Sequence, residues 1–250
     1  MFYNCNSLTS VPRLNTTVTT NFQDMFRGCS SLTSIPALDT SKATTLYEMF
    51  SGCYSLTSIP ALDTSNVTNF SYMFSGCSSL PSVPALNTSN GTNFQSMFGA
   101  CVSLTSIPQL NTSKGTNFQY MFSGCSALSN LDFTWLDTTL ATGTSLVNYL
   151  WGNVVFGGKI LEIGDKWSAS GIVNTSSLLQ STLTESSLPA GVKINKTDAM
   201  LPIAVNATTL FTNDQYLYVY VPDDLLATYQ ADAYWATLGA RLKGFSELPN

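Results

Sequence analysis

A period of 24 residues runs through the first half of the chain without an insertion. Met recurs at positions 1, 25, 49, 73, 97 and 121, each time followed by Phe, and Cys and Leu follow each Met after four and seven residues. Read from Ser51, one unit is SGCYSLTSIPALDTSNVTNFSYMF. A unit of this length cannot bury its own apolar groups and must stack on its neighbours. The period therefore predicts a stack of coils with a shared core.

Two segments of each unit carry the predicted secondary structure. The LTSIP segment places a β-branched residue between turn residues, which predicts a short strand paired in parallel with the strands of adjacent coils. The proline has no N–H to donate, so it should mark the strand end. The NF-x-x-MF segment has apolar residues at a spacing that predicts a short helix or 3₁₀ turn. We therefore predict a right-handed α/β solenoid with one short parallel strand and one short helical turn per coil.

The repeated phrase MF-S-G-C-S-S-L-T-S-I-P, with D-T-S-N-V-T before the next Met-Phe, resembles the BspA-like leucine-rich repeats of bacterial surface proteins. The closing segment LYVYVPDDLLATYQADAYWATLGARLKGFSELP is similar to the last strand and capping helix of such proteins. The resemblance implies a leucine-rich-repeat solenoid with a C-terminal capping helix. It also implies a secreted, surface-displayed or phage-associated adhesion module, and it implies no enzyme.

The repeat phase divides the chain into three parts. Residues 1–129 are the regular leucine-rich repeats, and at residue 130 the proline is lost and the phase stops. We expect residues 130–210 to be divergent coils of the same solenoid, with a separate small β domain as the alternative. The segments GGKILEIG and GVKINK in this part alternate like strands. Residues 211–250 should form the C-terminal strand and capping helix.

The capping helix is predicted to begin at Pro222. Proline suits the first turn of a helix, and Asp223 and Asp224 would there complement the helix dipole. Leu225, Leu226, Tyr229, Ala233 and Ala236 supply an apolar stripe. Such a helix would cover the C-terminal end of the stack. The first unit has no equivalent cap, so we expect residues 1–24 to be the least stable coil and a neighbouring subunit or upstream domain to cover its edge.

Composition argues against several function classes. The net charge of −5 argues against a nucleic-acid partner, which needs a basic surface. The chain has no histidine, which removes catalytic triads, histidine metal sites and the commonest general base. No apolar run reaches the roughly 18 residues that a membrane span needs. No nucleophile elbow, phosphate-binding loop or acidic cluster is present in the sequence, so we expect no catalytic residue, cofactor or metal.

Three polar or reactive columns have a structural interpretation. All six cysteines hold one repeat position, so we expect an inward column of free thiols, with disulfides as the alternative. Asp39 and Asp63 occupy one turn position and alternate with Asn, which indicates caps rather than an acid/base pair. The threonine columns at 40, 64, 88, 112 and at 44, 68, 92, 116 raise an ice-binding alternative, but the Asp/Asn-Thr-Ser pattern favours turn chemistry.

The positions that vary between units are the candidate binding residues. Core columns are nearly constant, so variable positions should face solvent and be free to specialise. Exposed Tyr and Arg are common interface anchors, although scattered surface aromatics also occur without a function. The candidates are Tyr3, Arg13, Arg27, Tyr47, Glu48, Tyr54, Tyr72, Gln109 and Tyr120.

The sequence thus favours a non-catalytic extracellular or cell-surface module for adhesion or display. It would recognise a protein or glycan on a cell surface through the solenoid surface. One alternative is a virion component, such as a phage tail or receptor-binding part. A more remote alternative is the accessory domain of a glycan-active enzyme.

Overall fold

The computed structural model describes residues 1–128, 132–137, 140, 160–164, 191–195, 218–232 and 235–248. In the repeats the backbone returns to an equivalent place every 24 residues. Parallel bridges join Asn21 to Thr45, Thr45 to Asn69, and Asn69 to Asn93. Along the same segment the N–H of Phe50 donates to the carbonyl oxygen of Met73 at 2.9 Å. Successive described units are therefore hydrogen-bonded to one another in register.

The NF-x-x-MF segment is a pair of consecutive turns, which corrects the predicted helical turn. The N–H of Met25 donates to the carbonyl of Phe22 at 3.2 Å, and the N–H of Cys29 donates to that of Phe26 at 3.0 Å. The residues before Met25 and Cys29 have φ values of +55° and +72°. A positive φ at the third residue is the signature of a type II turn and stops a helix from forming. No helix occurs within the described residues 1–128.

The predicted strand over LTSIP is wrong for these coils, because the segment has no regular secondary structure. Adjacent coils exchange only isolated bonds there, such as that from the N–H of Thr57 to the carbonyl of Thr33 at 3.1 Å. The proline after each isoleucine removes a donor and prevents a continuous ladder. The parallel bridges lie instead at the Asn21 position, at the start of the two turns.

The core consists of columns of identical side chains. Within the repeats, the Phe, Cys and Leu columns are buried from the second coil onward. Neighbouring rings of one phenylalanine column lie with centroids 5.6 to 5.9 Å apart: Phe2, Phe26, Phe50, Phe74, Phe98 and Phe122. Full burial of such a side chain stabilises the fold by about 1.5–3 kcal/mol. Each coil thus depends on both neighbours for its core.

The C-terminal part contains a parallel sheet whose five described strands pair in chain order. Its elements are β1 (Asp132–Phe133), β2 (Ile160–Gly164), β3 (Gly191–Asn195), β4 (Tyr218–Val221), α1 (Leu226–Ala231), a 3₁₀ helix (Trp235–Arg241), β5 (Leu242–Gly244) and a second 3₁₀ helix (Phe245–Glu247). Strands are therefore found in both segments that the alternation indicates. The remainder of residues 141–217 lies outside the described residues.

The C-terminal helix begins later than predicted. Its N-cap is Leu225, so Asp223 and Asp224 precede its first turn and that part of the prediction is wrong. The Asp223 carboxylate instead accepts from the Ser246 hydroxyl at 2.8 Å, because the nearby second 3₁₀ helix offers a hydroxyl and a backbone N–H. The buried Tyr229 ring packs edge-on against Trp235 at a centroid distance of 5.2 Å. These contacts hold α1 against the sheet end.

Candidate binding surface

Four of the five tyrosines of residues 1–128 lie on the two-turn segments of the coils, and Tyr54 directly follows such a segment. Because the coils stack in register, these segments form one side of the stack. We call this side the tyrosine wall and define it as residues 1–6, 21–30, 45–54, 69–78, 93–102 and 117–126. It carries seven of the nine predicted candidates: Tyr3, Arg27, Tyr47, Glu48, Tyr54, Tyr72 and Tyr120. Arg13 and Gln109 are exposed but lie outside it, and each directly follows the proline of its coil.

Arg27 connects two coils of the wall. Its Nη1 lies 2.6 Å from Oε2 of Glu48 and 3.3 Å from Oδ1 of Asp24. Its guanidinium also lies over the ring of Tyr3, 5.4 Å from the centroid. Glu48 was predicted to face solvent but is only 8% exposed, because the guanidinium of Arg27 on the preceding wall segment, residues 21–30, covers it. The arginine therefore braces an exposed tyrosine and neutralises a buried carboxylate.

Tyr47 and Tyr72 form an edge-to-face pair across adjacent coils. Their centroids are 6.1 Å apart and their planes meet at 79°. The Tyr47 hydroxyl donates to the Glu48 carboxylate, which together with burial raises the pKa of Tyr47 to about 12. The Tyr72 hydroxyl accepts from Nε2 of Gln95 at 2.9 Å, and Oε1 of Gln95 accepts from Nδ2 of Asn117 at 3.3 Å. One chain of contacts thus fixes both half-buried rings.

Tyr54 lies on a column of glycines. A Cβ atom added to Gly76 would lie 3.4 Å from Cε1 of Tyr54, and one added to Gly52 would lie 4.0 Å from its hydroxyl oxygen. The ring therefore lies close along backbone that has no side chains. Tyr54 and Tyr3 are the most exposed tyrosines of the wall, at 57% and 52%. Tyr120 is half-buried at the same turn position as Tyr72.

The wall carries little charge. Its ionisable side chains other than Tyr and Cys are Asp24, Arg27 and Glu48, which are paired with one another. The lysines of the repeats, Lys42 and Lys114, lie outside it. Between the tyrosines the wall presents mainly Ser, Gln, Asn and Gly. The surface is thus aromatic, polar and almost neutral.

Behind the wall lies the cysteine column. All six cysteines are free, and the five from Cys29 to Cys125 are buried as predicted. The Sγ of Cys53 donates to the carbonyl of Phe26 at 3.1 Å, and burial raises the pKa of Cys53 to about 12. Cys5 is exposed, which corrects the prediction for that residue, because none of the described residues forms a coil on that side of it. Buried and protonated, the five thiols act as small apolar groups.

The threonine and aspartate columns have structural roles. Oδ1 of Asp39 accepts from the N–H and hydroxyl of Ser41 at 3.1 and 2.6 Å, and these bonds lower the pKa of Asp39. Asp63 makes the same turn with Ser65. The threonine column at 40, 64, 88 and 112 is buried and cannot present hydroxyls to ice. The predicted turn chemistry is therefore confirmed for Asp39 and Asp63.

Sequence reasoning missed three parts of the wall. Asp24 and Gln95 hold Arg27 and Tyr72 in place, and the glycines at 52 and 76 support Tyr54. The recurrence of glycine before four of the six cysteines was a usable signal, since a recurring glycine often marks a positive φ. The pairing of Gln95 with a tyrosine 23 residues earlier had no signal within one unit.

The rest of the described surface contains a concavity and no candidate metal site. A concavity of about 910 Å³ lies beside Arg13 and is walled by Leu14, Pro36 and Leu38. Its carboxylate, Asp39, is already bonded to Ser41. Among the described residues, no group of three or more His, Cys, Asp or Glu could hold a metal ion. No helix in the same part of the chain has the length and apolar character to cross a membrane.

The comparisons with known proteins give a single family. The family model described as "Mycoplasma protein of unknown function, DUF285" matches residues 1–98 and again residues 55–152. Two overlapping matches along one chain are what a repeat family gives, and together they cover more than half of the sequence. No curated protein and no solved structure matches the chain.

Proposed function

The chain belongs to the DUF285 family, and from its geometry we propose that it is a non-catalytic binding module that contacts a protein or glycan partner through the tyrosine wall. The observation that carries this proposal is that exposed aromatic rings of the wall are held in contact with the Arg27 guanidinium and with glycine backbone. Tyr3 lies against Arg27 and Tyr54 lies on Gly52 and Gly76. Exposed rings that are already ordered lose little conformational freedom when a partner binds.

The described ionisable groups of the repeats support binding rather than catalysis. Arg27 is paired with Asp24 and Glu48, and Asp39 and Asp63 are engaged in turns. A general acid or base needs a group that can exchange a proton with substrate in a pocket. Neither the wall nor the concavity beside Arg13 offers such a group among these residues.

The same proposal covers the architecture and the setting. The stack is a right-handed leucine-rich-repeat solenoid of the BspA-like type, displayed outside the cell or on its surface. Strands β1 to β5 continue it as divergent coils. They pair in parallel and in chain order, and each parallel pair needs a long crossover connection, as one coil of a solenoid supplies. Helix α1 and the 3₁₀ helix over Trp235–Arg241 cap its end.

A paired-variant binding experiment tests the proposed function. The chain is applied to arrays of extracellular-matrix proteins and of defined oligosaccharides, as wild type, as Tyr3→Ser/Tyr54→Ser and as Arg13→Ser/Gln109→Ser. All four residues are exposed, so the fold should survive each pair. We expect the tyrosine pair to lose at least tenfold in affinity, as anchor residues do, and the control pair to bind like the wild type. A wild-type signal that the control pair loses, or that the tyrosine pair keeps, contradicts the proposal.

A further inference from the structure

We infer that the partner of the tyrosine wall is a protein with an uncharged, largely apolar contact surface. This inference rests on the proposed binding function and names the class of partner. It follows from the bonding of the polar groups on the wall, from the contacts that hold its aromatic rings and from the distribution of charge.

Several polar side chains of the wall are already bonded within it. A glycan presents many hydroxyls, and each one that binding buries needs a donor or acceptor on the protein. The Glu48 carboxylate is held by Arg27 and Tyr47, and the Tyr72 hydroxyl accepts from Gln95. Gln95 in turn accepts from Asn117. Because Tyr72, Gln95 and Asn117 bond to one another and Glu48 is ion-paired with Arg27, an apolar surface can cover these groups without breaking their contacts.

The aromatic rings are held in a form that suits protein contact. Tyr47 and Tyr72 meet edge to face and are half-buried, so neither offers a wide flat face for a sugar ring. Tyr3 and Tyr54 project further, and each is supported on one side, Tyr3 by the Arg27 guanidinium and Tyr54 by glycine backbone. Large, rigid and amphipathic side chains of this kind are the usual anchors of protein interfaces.

The composition of the wall is that of a protein-binding surface. Its exposed and half-buried residues are mainly Tyr, Ser, Gly, Asn and Gln, with a single Arg and without Lys. Tyr, Ser, Gly and Asn are the residues enriched in antibody contact loops, and charged residues other than Arg are depleted at interface centres. The three charged groups of the wall are paired, so a strongly charged partner would gain little from them.

Unbiased selection tests this inference. Immobilised wild-type chain is panned with a phage-displayed library of random linear peptides, and the same chain is applied to an array of defined oligosaccharides. We expect selected peptides to be rich in apolar residues. They should lose about tenfold in affinity for Tyr3→Ala/Tyr54→Ala while keeping affinity for Arg13→Ala/Gln109→Ala. Tyr54→Phe should bind nearly normally, because the ring and not its hydroxyl makes the contact.

Each alternative outcome has a distinct meaning. Oligosaccharides that need Tyr3 and Tyr54, together with peptides that do not, would overturn the protein assignment and leave the binding function standing. Peptides and oligosaccharides that all bind Tyr3→Ala/Tyr54→Ala as tightly as the wild type would overturn both the protein assignment and the proposed binding function. Hydrogen exchange of the wild-type complex is an independent readout that needs no variant. Protection by the peptide within residues 45–54 supports the inference, and protection confined to other parts of the chain contradicts it.

Discussion

Replacing Ala100 with glycine should stabilise the chain, although glycine substitutions usually destabilise. Ala100 holds the turn position before cysteine with a φ of +57°, where Gly28, Gly52, Gly76 and Gly124 have φ values of +72° to +78°. The left-handed region costs a residue with a Cβ atom about 1–2 kcal/mol. Ala100→Gly would remove this cost, but the greater freedom of glycine in the unfolded chain offsets about 0.5–1 kcal/mol of the stabilisation. The methyl group is exposed, so its loss removes little packing.

The expected net effect is a gain of about 0.5–1 kcal/mol in the free energy of unfolding, or roughly 1–4 °C in melting temperature. Urea titration measures it as a higher midpoint with an unchanged slope. Ala85→Gly is the matched control, since Ala85 is equally exposed but its backbone is not in the left-handed region. That variant should lose about 0.5–1 kcal/mol. If Ala100→Gly destabilises as much as the control, the assignment of paired type II turns is wrong.

Three further predictions concern the cysteines and Arg27. Alkylation under native conditions followed by mass spectrometry should label Cys5 alone, with the other five cysteines labelled only after unfolding; a disulfide would contradict the free column. Up to pH ~9 the free energy of unfolding should not vary with pH through the thiols. From there towards pH 12 the free energy of unfolding should fall by about 1.4 kcal/mol per pH unit for each thiol like Cys53, whose pKa the fold raises from 9.0 to about 12. Tryptophan fluorescence would follow this loss, and Cys53→Ala should reduce its slope. Arg27→Met should lower the free energy of unfolding by about 1–2 kcal/mol, because it removes the cation that pairs with the buried Glu48 carboxylate; the loss is smaller than for a fully buried pair because the guanidinium is 40% exposed. Arg13→Met is the control and should change the free energy of unfolding by under ~0.5 kcal/mol. Equal losses for the two variants in urea titration would refute the stabilising role of the Arg27–Glu48 pair.

The 24-residue period was enough to predict which residues share a column and which columns are buried. Identical positions repeat without an insertion, so the inward Phe, Met, Cys and Leu columns follow from the need to bury apolar surface. The local backbone was harder to predict. Apolar residues at Phe22, Met25, Phe26 and Cys29 fit either a helix or two inward-facing turns, because both place every third or fourth residue on one side. Only the recurring glycine distinguishes the two.

The environment of the candidate site depended on contacts between coils. The repeat position of Glu48 holds different residues in different units, which indicates exposure. The side chain is nevertheless covered by Arg27 of the preceding wall segment. Neither residue recurs at its position elsewhere in the repeats, so the pair has no periodic signal. Sequence reasoning could therefore name Arg27 and Glu48 as candidates and could not see that they bind each other. Tyr3 and Tyr54 were easier to predict, because their exposure follows from an outward position next to buried neighbours.

The tyrosine wall exists only if the coils stack in register, and a distance between spin labels tests this most directly. Thr20 and Thr116 occupy one exposed column, four coils apart, and each is replaced by cysteine to carry a spin label. Cys5 is replaced by serine, and the buried cysteines should not react with the label. A spacing of about 4.8 Å per coil predicts backbone positions roughly 19 Å apart. Double electron–electron resonance on the doubly labelled chain should give one narrow distribution near that distance. A broad distribution without a maximum near ~19 Å would contradict the stacked register, and the tyrosine wall with it.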